Sequence, residues 1–520
     1  MNKAVVIPDR WADRDTLAYE VLSFAASQRH HVWLVGGAVR DRLLRRKTND
    51  LDLVVEKEAA ALARSIADRF NGAFYLLDAD RDYGRALLHE AGGARPLIVD
   101  VTPIQGQTLE EDLRHRDFTI NALAVRLRFD GSGDLVDPLG GMDDLRQGVL
   151  RLVSNEALQA DPIRLLRAPR LAGELDFRIA PETIRAIRES AGLLAEASAE
   201  RVRDELWRML GRPGCARAIR VLERLGLLAV ALPEAGALVG LEQGPPHHWN
   251  VFEHTVQTMQ ATDRLLALLI GRDRTRDTVE AVMWEHLSPY ERPLREHLLQ
   301  TIRGGRNRAG WLRWLALTHD WGKAVTRTEE EDGRVRFLRH DREGSHLVWE
   351  RLIALRFSRD EARHLSRMVR YHMRPLFLTR KDRTPTPRAI YRFFRDVGDT
   401  GLELLLLGIA DHRATYGPEL HLEDWRDHVE RTVKLIGDWL DRREQVVPPP
   451  LVDGDTLIEA LGLSPGPEIG QLLEAIREAQ AAGEVRDREE ALALARRLHE
   501  EHQRQRAEGD ADSSSGGEGG

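Results

Sequence analysis

The chain reads as an α/β head followed by a mostly α-helical remainder in three parts, and three observations predict this. Residues 27–150 alternate short apolar, strand-like runs with helical patterns. Over 151–235 apolar residues recur at spacings of three and four with few β-branched side chains, which predicts a helical neck. A Gly-Pro-Pro break at 244–246 opens a further helical region over 244–440, and Pro448-Pro449-Pro450 starts a short last module over 448–506. The Ser- and Gly-rich end, 507–520, is expected to be disordered.

Composition supports a large folded protein. A chain of 520 residues, 42% hydrophobic and 31% charged, is too apolar for general disorder and has room for about three or four cores. A single cysteine, Cys215, excludes a disulfide framework and fits a reducing cytoplasm. The first eight residues lack a signal-peptide core, and the longest apolar run, Leu402 to Ala410, is too short to span a bilayer. A cytoplasmic protein without membrane contact is therefore expected. The formal net charge of −8 does not exclude nucleic acid, because phosphate affinity depends on local patches rather than on the sum.

In the head, the apolar run His31–Val35 ends at Gly36-Gly37, a helix-compatible stretch follows, and a second apolar run, Leu51–Val55, carries Asp50 and Asp52 at its start. Strand alternation points both carboxylates to one face. Two carboxylates that close repel, and a divalent cation relieves the repulsion. Magnesium suits such a site because it takes oxygen ligands and bridges substrate phosphates. Gly36 and Gly37 let the backbone approach a triphosphate, and Arg40 adds a fixed cation. The next strand-like run, Leu97–Val101, holds Asp100, which is either a third metal-site carboxylate or a structural one. In 115–122, Asp117 can accept from a ribose hydroxyl, while Arg116 and Asn121 can donate to phosphate or hold the loop. Gly131-Ser132-Gly133 marks a hairpin turn and 137–141 a loop after its second strand.

At the start of the neck, Pro162 suits the first turn of a helix with Asp161 as its N-cap, and Arg164, Arg167 and Arg170 recur every three residues. Pro169 should interrupt that helix, kinking it and re-aiming Arg170. The wider run from Arg164 to Arg220 interleaves both signs and reads as solvated surface, so only the Asp161–Arg170 face is taken as functional.

These motifs, in this order and covering nearly the whole chain, resemble the class II tRNA nucleotidyltransferases and bacterial poly(A) polymerases of the DNA polymerase β superfamily. His115 and Ala160 stand where that family has Arg and Glu. The resemblance implies a polymerase β-like nucleotidyltransferase head, with Asp50 and Asp52 as catalytic carboxylates holding Mg2+. It implies a nucleotide site built from Gly36, Gly37, Arg40, Arg116, Asp117, Asn121, Asp161, Arg164, Arg167 and Arg170. Asp161 and Arg164 would read the incoming base; a carboxylate and a guanidinium together can match the Watson–Crick edge of cytosine or adenine.

A second constellation follows the break. His254, then His319-Asp320, then Asp411 resemble the HD phosphohydrolase superfamily, in which these four would bind one metal and His340 and His372 a second. Imidazoles with carboxylates suit Mn, Ni, Co or Fe better than Mg alone. Either hydrolysis or a scaffolding role is compatible with the residues. The last module resembles the C-terminal tRNA-binding tail of bacterial members that carry an HD domain. The expected function is magnesium-dependent addition or repair of the tRNA 3′-terminal CCA from CTP and ATP without a nucleic-acid template. CC-only, A-only or poly(A) addition, or hydrolysis at the HD site as the main activity, are the alternatives.

Overall fold

The computed structural model describes residues 5, 7–13, 16–28, 31–89, 96–271, 277–302 and 304–515, with side chains to 504. Two units divide it: residues 1–209 with 217–233, and residues 210–216 with 234–520.

In the first unit, seven short strands form one mixed sheet: β1 Val32–Val35, β2 Asp50–Val55, β3 Ala73–Asp78, β4 Tyr83–Leu88, β5 Leu97–Pro103, β6 Ala124–Leu127 and β7 Gly133–Val136. Their order is β3-β4-β5-β2-β1-β6-β7, and only β2 and β5 run parallel. β1 lies inside the sheet and is buried at all four positions, which is why it reads as a continuous apolar run. One face of β4 and β5 carries the helix Ala59–Arg69, which buries Leu62, Ala63, Ile66 and Ala67. Gly84 permits that contact, since a Cβ there would lie 2.7 Å from Ala63 Cβ and 2.8 Å from Ala60 Cα. The turn at 131–133 closes the β6–β7 hairpin, and Asp137 accepts from the Gly141 and Met142 amides in the loop beyond it.

The neck is helical, with Glu156–Ala160, Arg164–Leu175, Pro181–Glu189, Ala199–Leu210 and Cys215–Arg224. Two expectations are corrected here. Asp161 caps the C-terminus of the short Glu156–Ala160 helix rather than the N-terminus of the next, which starts at Arg164 after a turn through Pro162 and Ile163. Its backbone carbonyl, not its side chain, accepts from the Arg164 amide. Pro169 does not interrupt the helix, which continues to Leu175. A proline in the second turn forfeits one backbone bond, and burial of Leu165, Leu166, Leu171 and Leu175 holds the turn regardless.

The second unit is almost wholly helical. Val251–Ile270, Arg308–Thr318 and Gly401–Tyr416 pack on one another, with His340–Ala354 against Arg359–Tyr371. Trp311, Trp314, Trp321 and Trp425 are fully buried within it. The apolar run 402–410 lies in Gly401–Tyr416 and is buried at every position except Gly408, and no helix among the described residues is long and apolar enough to cross a membrane. The last three helices, Gly454–Leu461, Pro467–Ala481 and Arg488–Ser515, bury their own cluster around Leu457, Leu472 and Ile476. Arg488–Ser515 extends helix into the segment expected to be disordered, because adding residues to an existing helix avoids the cost of nucleation. Residues 516–520 of that segment lie outside the described residues.

Candidate active site in the head and a buried polar centre

A cavity of about 480 Å3 opens on the sheet face opposite Ala59–Arg69. Asp50, Asp52 and Asp100 line it. Asp50 and Asp52 share a face of β2, and Asp52 stands directly beside Asp100 in the parallel β2–β5 register. Burial first, then the neighbouring Asp100 and Asp50, push the Asp52 carboxyl above its ordinary value against the pull of Arg116 and Arg167. Arg85 on β4 clasps Asp100 with two hydrogen bonds of 2.6 and 2.8 Å. The third carboxylate is thus held by a guanidinium, while Asp50 and Asp52 have no such bidentate partner among the described residues. The oxygen-only donor set and surplus negative charge around Asp52 fit a hard divalent cation.

Facing the carboxylates are Gly36, Gly37, Arg40, Arg116, Asp117, Asn121, Arg164, Arg167 and Arg170, all on the cavity wall. Gly36 has φ 71°, and a Cβ there would fall 3.0 Å from Arg116 Nη1 and 3.3 Å from Asp52 Oδ2. Its amide donates to the Leu123 carbonyl, so what Gly36 offers the site is space rather than a free donor. Arg40 donates to Asn121 Oδ1 at 2.7 Å and to both oxygens of Asp41. Asn121 in turn donates to Asp117 at 3.0 Å, and Asp117 pairs with Arg167 at 2.9 Å. This chain ties the Gly37–Leu43 helix to the neck helix. Burial is the largest influence on Asp117 and works upward, yet Arg167, the Asn121 amide and the Phe118 N–H hold its carboxyl below its ordinary value. Asp117 is therefore an anchor for the arginines in this conformation. Arg116 pairs with the buried Asp112 at 3.2 Å, and Arg170 with Glu205 and Glu174.

The two residues expected to read the base are not paired here. Arg164 donates to the carbonyls of His115, Arg116 and Ala157, at 2.7, 3.3 and 3.1 Å. The Asp161 carboxylate is engaged by Arg201 at 2.8 and 2.9 Å and is not among the groups lining the cavity. Sequence reasoning does not single out Arg85, Asp112, Glu205 or Arg201. Their partners are distant in sequence, and only Arg116, four residues from Asp112 and just beyond the helix Leu109–Arg114, gives a local signal.

In the second unit, a cavity of about 360 Å3 ends on the six histidines and aspartates of the second constellation. His254 Nε2 lies 2.8 Å from Asp411 Oδ1 and 3.7 Å from Asp320 Oδ2; His319 Nε2 lies 3.3 Å from Asp320 Oδ2 and 3.7 Å from Asp411 Oδ1. His340 Nε2 is 3.3 Å from His372 Nε2 and 3.6 Å from Asp320 Oδ1. Ligand atoms of His254, His319 and Asp320 fall within 4.8 Å of one another, as do those of Asp320, His340 and His372, so Asp320 is common to two sets. The Nδ1 atoms of His319, His340 and His372 lie 3.0, 2.9 and 2.6 Å from the carbonyls of Ala316, Phe337 and Val369. A proton fixed on each Nδ1 turns the Nε2 lone pair toward the carboxylates, the arrangement of imidazole metal ligands. His319 is the exception in charge. Burial works downward on it, but Asp320 and Asp411 outweigh burial and hold it up to about 10. Lys323, 2.7 Å from Asp320 and bonded to Gln243 at 2.8 Å, is a further buried cation beside the set. The donor set fits a borderline transition metal.

The first-unit residues 32–151 match the family described as "Poly A polymerase head domain", and 176–238 match "Probable RNA and SrmB- binding site of polymerase A". The chain is 36% identical over 477 residues to the A-adding tRNA nucleotidyltransferase of Deinococcus radiodurans, covering 90% of this chain and 95% of that protein. It is 37% identical over 471 residues to the CC-adding tRNA nucleotidyltransferase of Thermus thermophilus, covering 88% and 92%. The fold is similar to that of a CCA-adding enzyme solved with ATP, with TM-score 0.57, 21% identity and coverage of 93% and 95%. The chain belongs to the tRNA nucleotidyltransferase family.

Proposed function

We propose that this enzyme adds or repairs the 3′-terminal CCA of tRNA from CTP and ATP in the head cavity. The observation that carries the reading is the Asp50–Asp52 pair facing five cavity-lining arginines, a divided arrangement of anion and cation suited to a nucleoside triphosphate and a cation. Asp50 and Asp52 would hold Mg2+, which when bound supplies charge neutralisation for an in-line phosphoryl displacement. The chain's own groups do the rest. Gly36 leaves room beside Asp52, Arg40 and Arg116 set positive charge near the phosphates, and Arg167, held by Asp117, adds to it. Arg164 and Asp161 would select the base after exchanging their present partners for the incoming nucleotide. Cytoplasmic location is supported by tRNA as the substrate and by the single cysteine.

Incubating the protein with tRNA lacking its CCA end, magnesium, and CTP or ATP separately and together, then sequencing the product ends, tests the reading. CCA ends with both nucleotides are expected. Products ending only in CC or in one A would narrow the activity, and no extension would refute it.

A second reading applies to the second unit. The paired His/Asp sets, with ring protons fixed away from a shared Asp320, favour a two-metal phosphoester hydrolase centre. Its ligands would be His254, His319, Asp320 and Asp411 for one ion, and His340 and His372 with Asp320 for the other. Metal analysis of the purified protein, with hydrolysis of 2′,3′-cyclic phosphates in Mn2+ or Ni2+, tests it. Bound metal without hydrolysis would leave this centre a scaffold.

A further inference from the structure

The helix Arg359–Tyr371 carries cations in a pattern unlike the mixed-sign helices around it. Arg359, Arg363, Arg367 and Arg370 lie on one stripe, within about 80° of one another at 3.6 residues per turn. The first three are exposed, and Arg370 is half-buried. Arg370 pairs with Asp341, and Arg363 with Asp360 at 2.9 Å. Arg359 and Arg367 have no carboxylate partner among the described residues. The acidic side chain Glu361 does not offset the stripe, because it is buried in the capping box with Ser358 and pairs with Arg306. Beside the stripe, a cavity of about 210 Å3 is lined by Arg363, His364 and Arg367, with Asp360 and the apolar Met368, Val397 and Leu404. The His364 Nε2 atom is buried without a hydrogen-bond partner.

Spacing and charge identify what would cover such a face. Arg359, Arg363 and Arg367 rise by about 6 Å per step along the helix axis, close to the separation of successive phosphates on an extended nucleic-acid strand. No large apolar side chain is exposed along the stripe, which a protein partner would ordinarily bury. The chain as a whole carries a formal charge of −8, so a long polyanion is repelled except where cations are concentrated. The head cavity is of nucleotide size, and the remaining phosphates of an RNA substrate must meet the protein elsewhere.

We propose that the Arg359–Arg363–Arg367 stripe is an RNA-docking face that binds the phosphodiester backbone of the tRNA substrate without reading its sequence. The proposal rests on the tRNA reading of the head. Direct salt bridges to phosphates would make the stripe's contribution depend on counterion release.

The test compares wild type with Arg359→Gln/Arg363→Gln/Arg367→Gln in the full-length protein. tRNA affinity is measured from 50 to 300 mM KCl, and nucleotide addition is measured at saturating tRNA. Removing three phosphate contacts should lower the slope of log affinity against log salt by about 2 to 3. The rate at saturating tRNA should stay unchanged. Arg292→Gln/Arg426→Gln, which removes exposed guanidiniums already paired with Glu296 and Glu285, serves as the charge control and should leave the slope in place. An unchanged slope in an active triple variant overturns the proposal and leaves the stripe to a protein partner, as does an equal fall in the control. Absence of nucleotide addition in the wild type would instead sink the tRNA reading.

Discussion

Gly36→Ala isolates the steric demand of the head site. Gly36 sits at φ 71° and ψ −136°, a region that residues with a Cβ rarely enter. Holding alanine there costs about 1–3 kcal/mol of strain. The added carbon would also fall 3.0 Å from Arg116 Nη1 and 3.3 Å from Asp52 Oδ2. The Asp112 pairing limits how far Arg116 can retreat, so the displacement passes partly to Asp52. A shift of a reacting group by a fraction of an ångström to 1 Å costs on the order of 100-fold in rate. The expected outcome is a drop of about 1–3 kcal/mol in the stability of the head by urea denaturation, with kcat/KM for nucleotide addition reduced about 100-fold. Gly37→Ala is the control: its Cβ would lie 3.5 Å from Arg40 Nη2, an ordinary contact, and its φ is not positive. Near-normal addition by Gly37→Ala beside a crippled Gly36→Ala supports the reasoning. A Gly36→Ala rate within about threefold of wild type, a loss below ~1 kcal/mol, refutes it.

Asp50→Ala and Asp52→Ala should each lower addition by on the order of a thousandfold or more with the fold intact by circular dichroism; near-normal rates would remove these carboxylates from the chemistry. Arg164→Ala should cost more with CTP and ATP than with GTP and UTP in single-turnover kinetics, whereas equal losses would assign Arg164 to the carbonyl contacts it makes with His115, Arg116 and Ala157. His319→Ala should reduce bound transition metal by elemental analysis and abolish metal-dependent hydrolysis while leaving nucleotide addition in place; loss of addition in a folded variant would mean the centres are coupled. Burial first, and then His412, hold His428 down to about 3, well below the ordinary histidine value of about 6.5. Its neutral form is therefore favoured in the folded state, so the associated stability is complete above about pH 6.5 and declines as pH falls toward 3, by at most ~1.4 kcal/mol per pH unit. His428→Phe should flatten the pH dependence of the urea midpoint by one proton's worth, and an unchanged dependence would show that His428 is already protonated when folded.

Local patterns along the chain were enough to predict the head's strand-and-helix alternation, the helical remainder, and most of the groups that line the two cavities. Those signals are local. Asp50 and Asp52 share a strand face through the two-residue period, and buried β1 reads as apolar at every position. The order of chemically distinctive side chains also picked out the His and Asp residues that the fold brings together in the second unit, although His254 and Asp411 are far apart along the chain. Tertiary structure decided the partners. Asp100 is clasped by Arg85 only because antiparallel β4–β5 pairing sets the two side by side. Asp117 is turned toward Arg167 by the neck helix, and Asp161 is taken by Arg201 from a helix forty residues on. Helix boundaries also escaped the local signals, at Asp161 and through Pro169, because burial of neighbouring leucines outweighs a capping preference or one lost backbone bond. The physical division is between periodicity, which a short stretch of chain already contains, and pairing of charge across the fold, which depends on where distant segments come to rest.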